Sequence, residues 1–157
     1  MNKKLLIFFI IILLSFSVIA GDFEDGEEAY EREDYMAAIF FFKKSAEQGH
    51  AQAQHNLGVM YKLGQGIPQD YKQAMYWLQK AAVQGFAQAQ YNLGVMYGKG
   101  LGVTQDYIEA YKWHSIASAY GMVKSRDVKD SIVKLMTPIQ IESARKLARE
   151  WMEKHQQ

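Results

Sequence analysis

Apolar side chains in residues 51–86 recur three and four positions apart in two runs, and a glycine-rich stretch divides the runs. Ala53, Leu57, Met60 and Tyr61 share one face of a first helix, and Ala74, Trp77, Leu78 and Ala81 share one face of a second. Between them Gly64-Gln65-Gly66-Ile67-Pro68 cannot continue a helix and reads as a loop. Asp70 stands where a carboxylate complements the positive end of the second helix, and Gly85 stands where that helix stops. Gly58 interrupts the first helix at a cost of about 1 kcal/mol relative to Ala. A close approach of two helices, with no room for a side chain, is the predicted reason.

The whole pattern then occurs again. Shifting the chain by 36 residues superimposes 51–86 on 87–122 without a gap, with 19 of 36 positions identical. AQAQHNLGVMY becomes AQAQYNLGVMY, and Leu93, Gly94, Tyr97, Asp106, Ala110, Trp113, Ala117 and Gly121 take up the same stations. A fixed period of this length marks a solenoid, in which helix pairs stack on their own copies. The same shift aligns Asp34-Tyr35 with Asp70-Tyr71 and Ala38 with Ala74. Residues 21–50 therefore read as a degenerate N-terminal repeat, or cap, whose acidic first helix, near Phe23–Arg32, has lost the pattern. Residues 123–157 are not a further copy. They predict a short amphipathic helix over Arg126–Met136 with Val128, Ile132, Val133 and Leu135 apolar. Thr137-Pro138-Ile139-Gln140 then spells a capping box. The last helix should cover the open end of the stack with Ile141, Ala144, Leu147, Ala148 and Trp151. The expected fold is all-α, an α/α superhelix with C-terminal capping helices.

The N-terminus carries a different signal. Lys3 and Lys4 precede the apolar run Leu5–Leu14, and Val18-Ile19-Ala20 fits a cleavage site, so residues 1–20 read as a signal peptide. The run is short for a bilayer, which takes about 20 apolar residues. An uncleaved membrane anchor is the alternative. Without Lys3 and Lys4 the net charge falls from +1 to −1. A near-neutral chain with no basic stripe argues against nucleic acid as a partner. Cysteine is absent, so neither a disulfide nor a lipidated cysteine is expected, and stability must come from stacking.

The candidate chemistry is thin. His50, His55, His114 and His155 lack the spacing of a metal site, and no metal, cofactor or catalytic residue is predicted. His114 stands where the first copy has Leu78, which points to a packed core histidine. Two S-x-x-K strings, Ser131–Lys134 and Ser143–Lys146, lack the companion elements of penicillin-recognising enzymes. The loops GQGIP and GKGLGV lack the ending of a phosphate-binding loop. Tyr61, Tyr71, Trp77, Tyr97, Tyr107 and Trp113 recur at the repeat period, so packing accounts for them. Tyr76, Tyr91 and Tyr120 do not recur and are candidates for exposed contacts. Phe40, Phe41 and Phe42 cannot all face one core.

The repeat closely resembles the Sel-one-like repeat family, a branch of the tetratricopeptide-like solenoids. The resemblance is carried by Ala51, Ala53, Gln54, Leu57, Gly58, Tyr61, Gly64, Gly66, Asp70, Ala74, Trp77, Ala81, Ala82 and Gly85. The second copy departs from them at Ser118, where Ala82 stands in the first. The ending MTPIQIESARKLAREW looks like the tail of exported bacterial members. The resemblance implies a non-enzymatic scaffold that binds a protein or peptide along a groove lined by the first helices, in the periplasm or outside the cell. In such a groove the free positions would be Gln52, His55, Val59 and Lys62, then Gln88, Tyr91, Val95 and Lys99. Within the first helices the copies differ at His55 against Tyr91 and at Lys62-Leu63 against Gly98-Lys99. Two other readings stand beside this one: a cell-wall-associated binding factor or hydrolase, and a membrane-tethered scaffold.

Overall fold

Each second helix begins on an aspartate, and the three aspartates are spaced at the repeat period. Asp34 accepts from the amide of Ala37 at 3.1 Å, Asp70 from Lys72 and Gln73 at 2.8 and 3.0 Å, and Asp106 from Ile108 and Glu109 at 2.8 and 3.1 Å. Each carboxylate satisfies amides that the first helical turn would otherwise leave orphaned. The computed structural model describes residues 21–155, and the expected signal segment, residues 1–20, lies outside them. Among the described residues the regular structure is helical. Residues 21–31 form α1, followed by α2 (Tyr35–Glu47), α3 (Ala51–Leu63), α4 (Tyr71–Val83), α5 (Ala87–Lys99), α6 (Tyr107–Ala119), α7 (Lys124–Val133) and α8 (Pro138–His155). The pairs α3–α4 and α5–α6 stack on one another, α2 packs against α3, and α7 and α8 both pack against α6.

Glycine lets the two helices of a pair touch. A Cβ on Gly58 would lie 2.8 Å from Leu78 Cγ, and one on Gly94 would lie 2.7 Å from the His114 ring. α1 makes the same contact, because a Cβ on Gly26 would lie 2.6 Å from the Phe42 ring. Phe42, Leu78 and His114 are one repeat apart, whereas Gly26 and Gly58 are separated by four residues fewer. The loop after α1 is shorter by that amount, so a gapless comparison hides a register that the packing retains. The expectation that α1 had lost the pattern is corrected accordingly. Asp22 even occupies the place of the buried amides Gln54 and Gln90. It receives Lys44 Nζ at 2.7 Å, and Gln48 Nε2 reaches its other oxygen at 3.5 Å.

Between pairs the loops lie close to the preceding unit. Gly66 has φ +69° and a Cβ there would lie 2.5 Å from Tyr35 Cβ. Gly102 has φ +74° and a Cβ there would lie 2.7 Å from the Tyr71 carbonyl oxygen. Both positions need glycine twice over, for the left-handed backbone and for the space. The core includes two apolar clusters within the stacked pairs, and a third, with Ala110, Tyr111, Ile132 and Ala144, joins α6 to the C-terminal helices. Of the first two, one holds Phe42, Leu57, Met60 and Trp77, and the other holds Leu78, Leu93, Met96, Trp113 and Ile116 with Ala148 of α8.

The C-terminal helices differ from expectation in detail. α7 starts and stops earlier than predicted, at Lys124 and Val133, and Leu135 is 61% exposed in the turn that follows. In α8 the capping box forms as read, with the Thr137 amide on Gln140 Oε1 at 2.8 Å and the Gln140 amide on Thr137 Oγ1 at 3.3 Å. Ala144 and Ala148 are buried, Ile141 and Trp151 half-buried, and Leu147 exposed. Small residues bring α8 against α6 along a narrow stripe, and Leu147 falls on its flank. In the phenylalanine run Phe42 is buried, Phe41 half-buried and Phe40 exposed, as the helical period requires.

Candidate functional site

The first helices α3 and α5 lie side by side and carry the eight candidate groove positions. His55, Val59 and Lys62 of α3 face Gln88, Tyr91 and Asn92 of α5 across a hollow of about 530 Å³, closed at one end by Met122, Val123 and Lys124. Five of the eight candidate positions, His55, Val59, Lys62, Gln88 and Tyr91, meet there. Gln52 does not: it is exposed and donates to Glu27 Oε1 on α1 at 3.3 Å. Val95 and Lys99 also lie outside the lining. A smaller hollow on the α1 side, about 140 Å³, is lined by Tyr30, His55, Asn56, Val59 and Met60. His55 and Val59 belong to both, so the surface is continuous across α3.

Asn92 ties the walls together. Its amide nitrogen contacts His55 Nε2 at 3.1 Å and donates to the Gln88 carbonyl at 3.0 Å, while its oxygen accepts from Lys62 Nζ at 2.6 Å. His55 Nδ1 lies 3.2 Å from Asn56 Oδ1. These partners assign a neutral imidazole with the proton on Nδ1, since Nε2 must accept from an amide. Burial lowers the His55 pKa, the Asn56 contact partly restores it, and Lys62 lowers it further. Burial also lowers the pKa of Lys62, and the like charge of Lys99 adds to the effect.

Sequence reasoning missed Asn92, Met122, Val123 and Lys124. Asn92 and its repeat counterpart Asn56 were not among the candidate positions, although asparagine in mid-helix is a poor helix former and was a legible signal. Met122, Val123 and Lys124 come from the α6–α7 turn, and nothing in the repeat pattern brings that turn to α3.

The other histidines have structural positions. His50 caps α3, with Nδ1 accepting from the Ala53 amide at 3.3 Å, and its ring lies 4.4 Å from that of Phe23. His155 stacks on Trp151 at 4.1 Å. His114 is fully buried under Gly94 with neither ring nitrogen hydrogen-bonded, and burial pushes its pKa down to about 4. The Tyr91 ring meets it edge-on at 5.3 Å, so the floor of the hollow rests on this histidine. Among the described residues no three His, Cys, Asp or Glu side chains gather as a metal-binding group. In the S-x-x-K strings the Ser131 hydroxyl donates to the Asp127 carbonyl of its own helix at 3.0 Å, and Ser143 is exposed.

The family model of the Sel1 repeat matches three times, at residues 22–50, 51–86 and 87–121. The chain belongs to the Sel1 repeat family. Sel1 repeat proteins typically mediate protein–protein interaction, and their fold is typically a non-catalytic scaffold. The crystal structure of a protective antigen from uropathogenic Escherichia coli strains, described as displaying an SLR fold, is similar with a TM-score of 0.83. It is 33% identical over 87% of this chain and 30% of that one. The crystal structure of a Sel1 repeat protein from Oxalobacter formigenes has a TM-score of 0.68 and 31% identity, covering 77% of this chain and 97% of that one. Two curated relatives named DAP3-binding cell death enhancer 1, from Rattus norvegicus and Mus musculus, are each 39% identical over 44 residues. That match covers 28% of this Sel1 repeat chain, and the chain spans 9% of the length of those relatives.

Proposed function

We propose that this protein is a non-enzymatic binding module of the bacterial envelope or secreted fraction, holding a protein or peptide partner against the face formed by α3, α5 and the start of α7. The observation that supports it best is the meeting at one hollow of five side chains that neither the core nor the repeat motif requires, His55, Val59, Lys62, Gln88 and Tyr91. The export part of the reading rests on the basic and apolar pattern of residues 1–20. Among the described residues no helix is long and apolar enough to cross a membrane.

The test is in-cell crosslinking of the tagged protein from its native host, followed by mass spectrometry of the envelope and culture fractions. One partner crosslinked near His55 or Tyr91, and lost in Tyr91→Ala, is the expected result. Loss of the tag from the N-terminal side with a new end at Gly21 is expected for the exported form. Crosslinks confined to the opposite face, or a partner unaffected by Tyr91→Ala, would refute the groove.

A further inference from the structure

The charge of the hollow has one sign. α3 and α5 carry no aspartate or glutamate, and between residues 48 and 105 the chain has a single carboxylate, Asp70, which is committed to capping α4. Lys62 and Lys124 line the hollow, and Lys99 is near enough to Lys62 to depress its pKa. Among the described residues the ion pairs engage Arg32, Lys44, Lys112, Lys146 and Arg149, leaving Lys62, Lys99 and Lys124 without a carboxylate partner. The two acids of α7, Asp127 and Asp130, are exposed and do not line the hollow.

A lysine in the last turn of a helix is ordinarily placed there for the dipole. Lys62 departs from that role. Left-handed Gly64 closes α3 with its amide on the Met60 carbonyl, while the Lys62 ammonium turns across to Asn92. It is half-buried with one neutral acceptor, a poor exchange for hydration that a carboxylate would correct. Lys124 sits on the first turn of α7, the positive end, where a cation is unfavourable until an anion arrives. Beside the neutral polar groups of His55, Gln88 and Asn92, the lining is apolar: Val59, Tyr91, Met122 and Val123, the last 70% exposed.

We infer that the hollow takes an extended segment of a partner protein whose acidic side chains alternate with apolar ones, the carboxylates meeting Lys62 and Lys124 and the apolar residues covering Val59, Tyr91 and Val123. The inference rests on the groove reading above and names the partner class for it.

The test is fluorescence anisotropy with the full chain in a mild non-ionic detergent. The probes are a labelled octapeptide of alternating glutamate and leucine, blocked at both ends, and the same peptide with glutamine for glutamate. The acidic peptide should bind at least about tenfold more tightly, and the preference should weaken with added salt. Lys62→Gln with Lys124→Gln should abolish the preference, whereas Lys62→Arg with Lys124→Arg should keep it. Circular dichroism of both double variants checks that the fold is intact. Equal affinity for the two peptides, or a preference unmoved by the glutamine variants, would overturn the inference. So would self-association in sedimentation velocity that the glutamine variants remove while the acidic peptide fails to bind, because the acidic α1 of a second copy would then be the occupant. The groove reading stands or falls separately, on whether Tyr91→Ala releases the crosslinked partner.

Discussion

Replacing His114 with leucine should make the protein more stable, and increasingly so in acid. The position is fully buried, neither ring nitrogen has a partner, and one repeat earlier Leu78 fills the same space over Gly58. A buried polar atom without a hydrogen bond costs about 1–3 kcal/mol. At pH 7.5 His114→Leu should therefore gain about 1–3 kcal/mol, or roughly 3–10 °C in Tm for a domain of this size. Acid adds a second contribution. Burial holds the folded-state pKa at about 4, against an ordinary value of 6.5. Between those values the unfolded chain binds a proton that the folded chain refuses. Stability from this site is thus intact above pH 6.5, falls as pH drops toward 4, and changes no further below that. At 1.36 kcal/mol per unit the loss reaches about 2 kcal/mol at pH 5 and about 3 kcal/mol at pH 4. Urea denaturation of wild type and variant at pH 7.5 and 5.0 reads it directly. The stability difference should widen by about 2 kcal/mol at the lower pH with unchanged slopes. His55, whose pKa is also lowered, is present in both proteins and cancels in the difference. A variant less stable than wild type at pH 7.5, or a difference that does not change with pH, would refute the account of a neutral, unpartnered histidine.

Two further substitutions probe the repeat itself. Asp70→Ala removes the acceptor for two amides at the start of α4 and should cost about 1 kcal/mol by urea denaturation, while Asp70→Asn, which keeps an oxygen acceptor, should recover most of it. Gly102→Ala meets both a left-handed backbone and the Tyr71 carbonyl, so it should lower Tm by more than the effect of positive φ alone, which is about 1 kcal/mol.

The packing shows where a copied sequence ceases to be a copied structure. Gln54 and Gln90 are both buried and donate to the carbonyls of Ala46 and Ala82, each at 3.0 Å. In the first copy Gln84 Nε2 also donates to Gln54 Oε1, at 2.8 Å. One repeat on, Tyr120 stands in place of Gln84, and Gln90 Oε1 is left without a partner. The last pair has exchanged an amide for an aromatic contact, since Tyr120 lies 6.3 Å from Trp151 of α8. The substitution is visible in the sequence, but its reason lies in Trp151, more than 30 residues further along the chain.

Most of the fold was legible because its causes are local. Helical periodicity, the Asp caps, the Gly breakers and the capping box at Thr137 all act within one or two turns, and a repeat of them dictates stacking. Five of the groove residues were legible as well, as first-helix positions that neither the core stripe nor the repeat motif claims. Three features required the tertiary structure. The register of α1 was hidden by a four-residue difference in a loop, which matters to an alignment and hardly at all to a solenoid, whose loops lie outside the stacked core. The exposure of Leu135 and Leu147 depended on how narrow a stripe α6 offers to the C-terminal helices. The hollow acquired Met122, Val123 and Lys124, and with them a second lysine in its lining, only when the turn into α7 came to rest beside α3. The sequence by itself determined the unit and the order of stacking, because those follow from interactions within a helix pair. The site was decided by which units became neighbours, because its charge and shape belong to several helices at once.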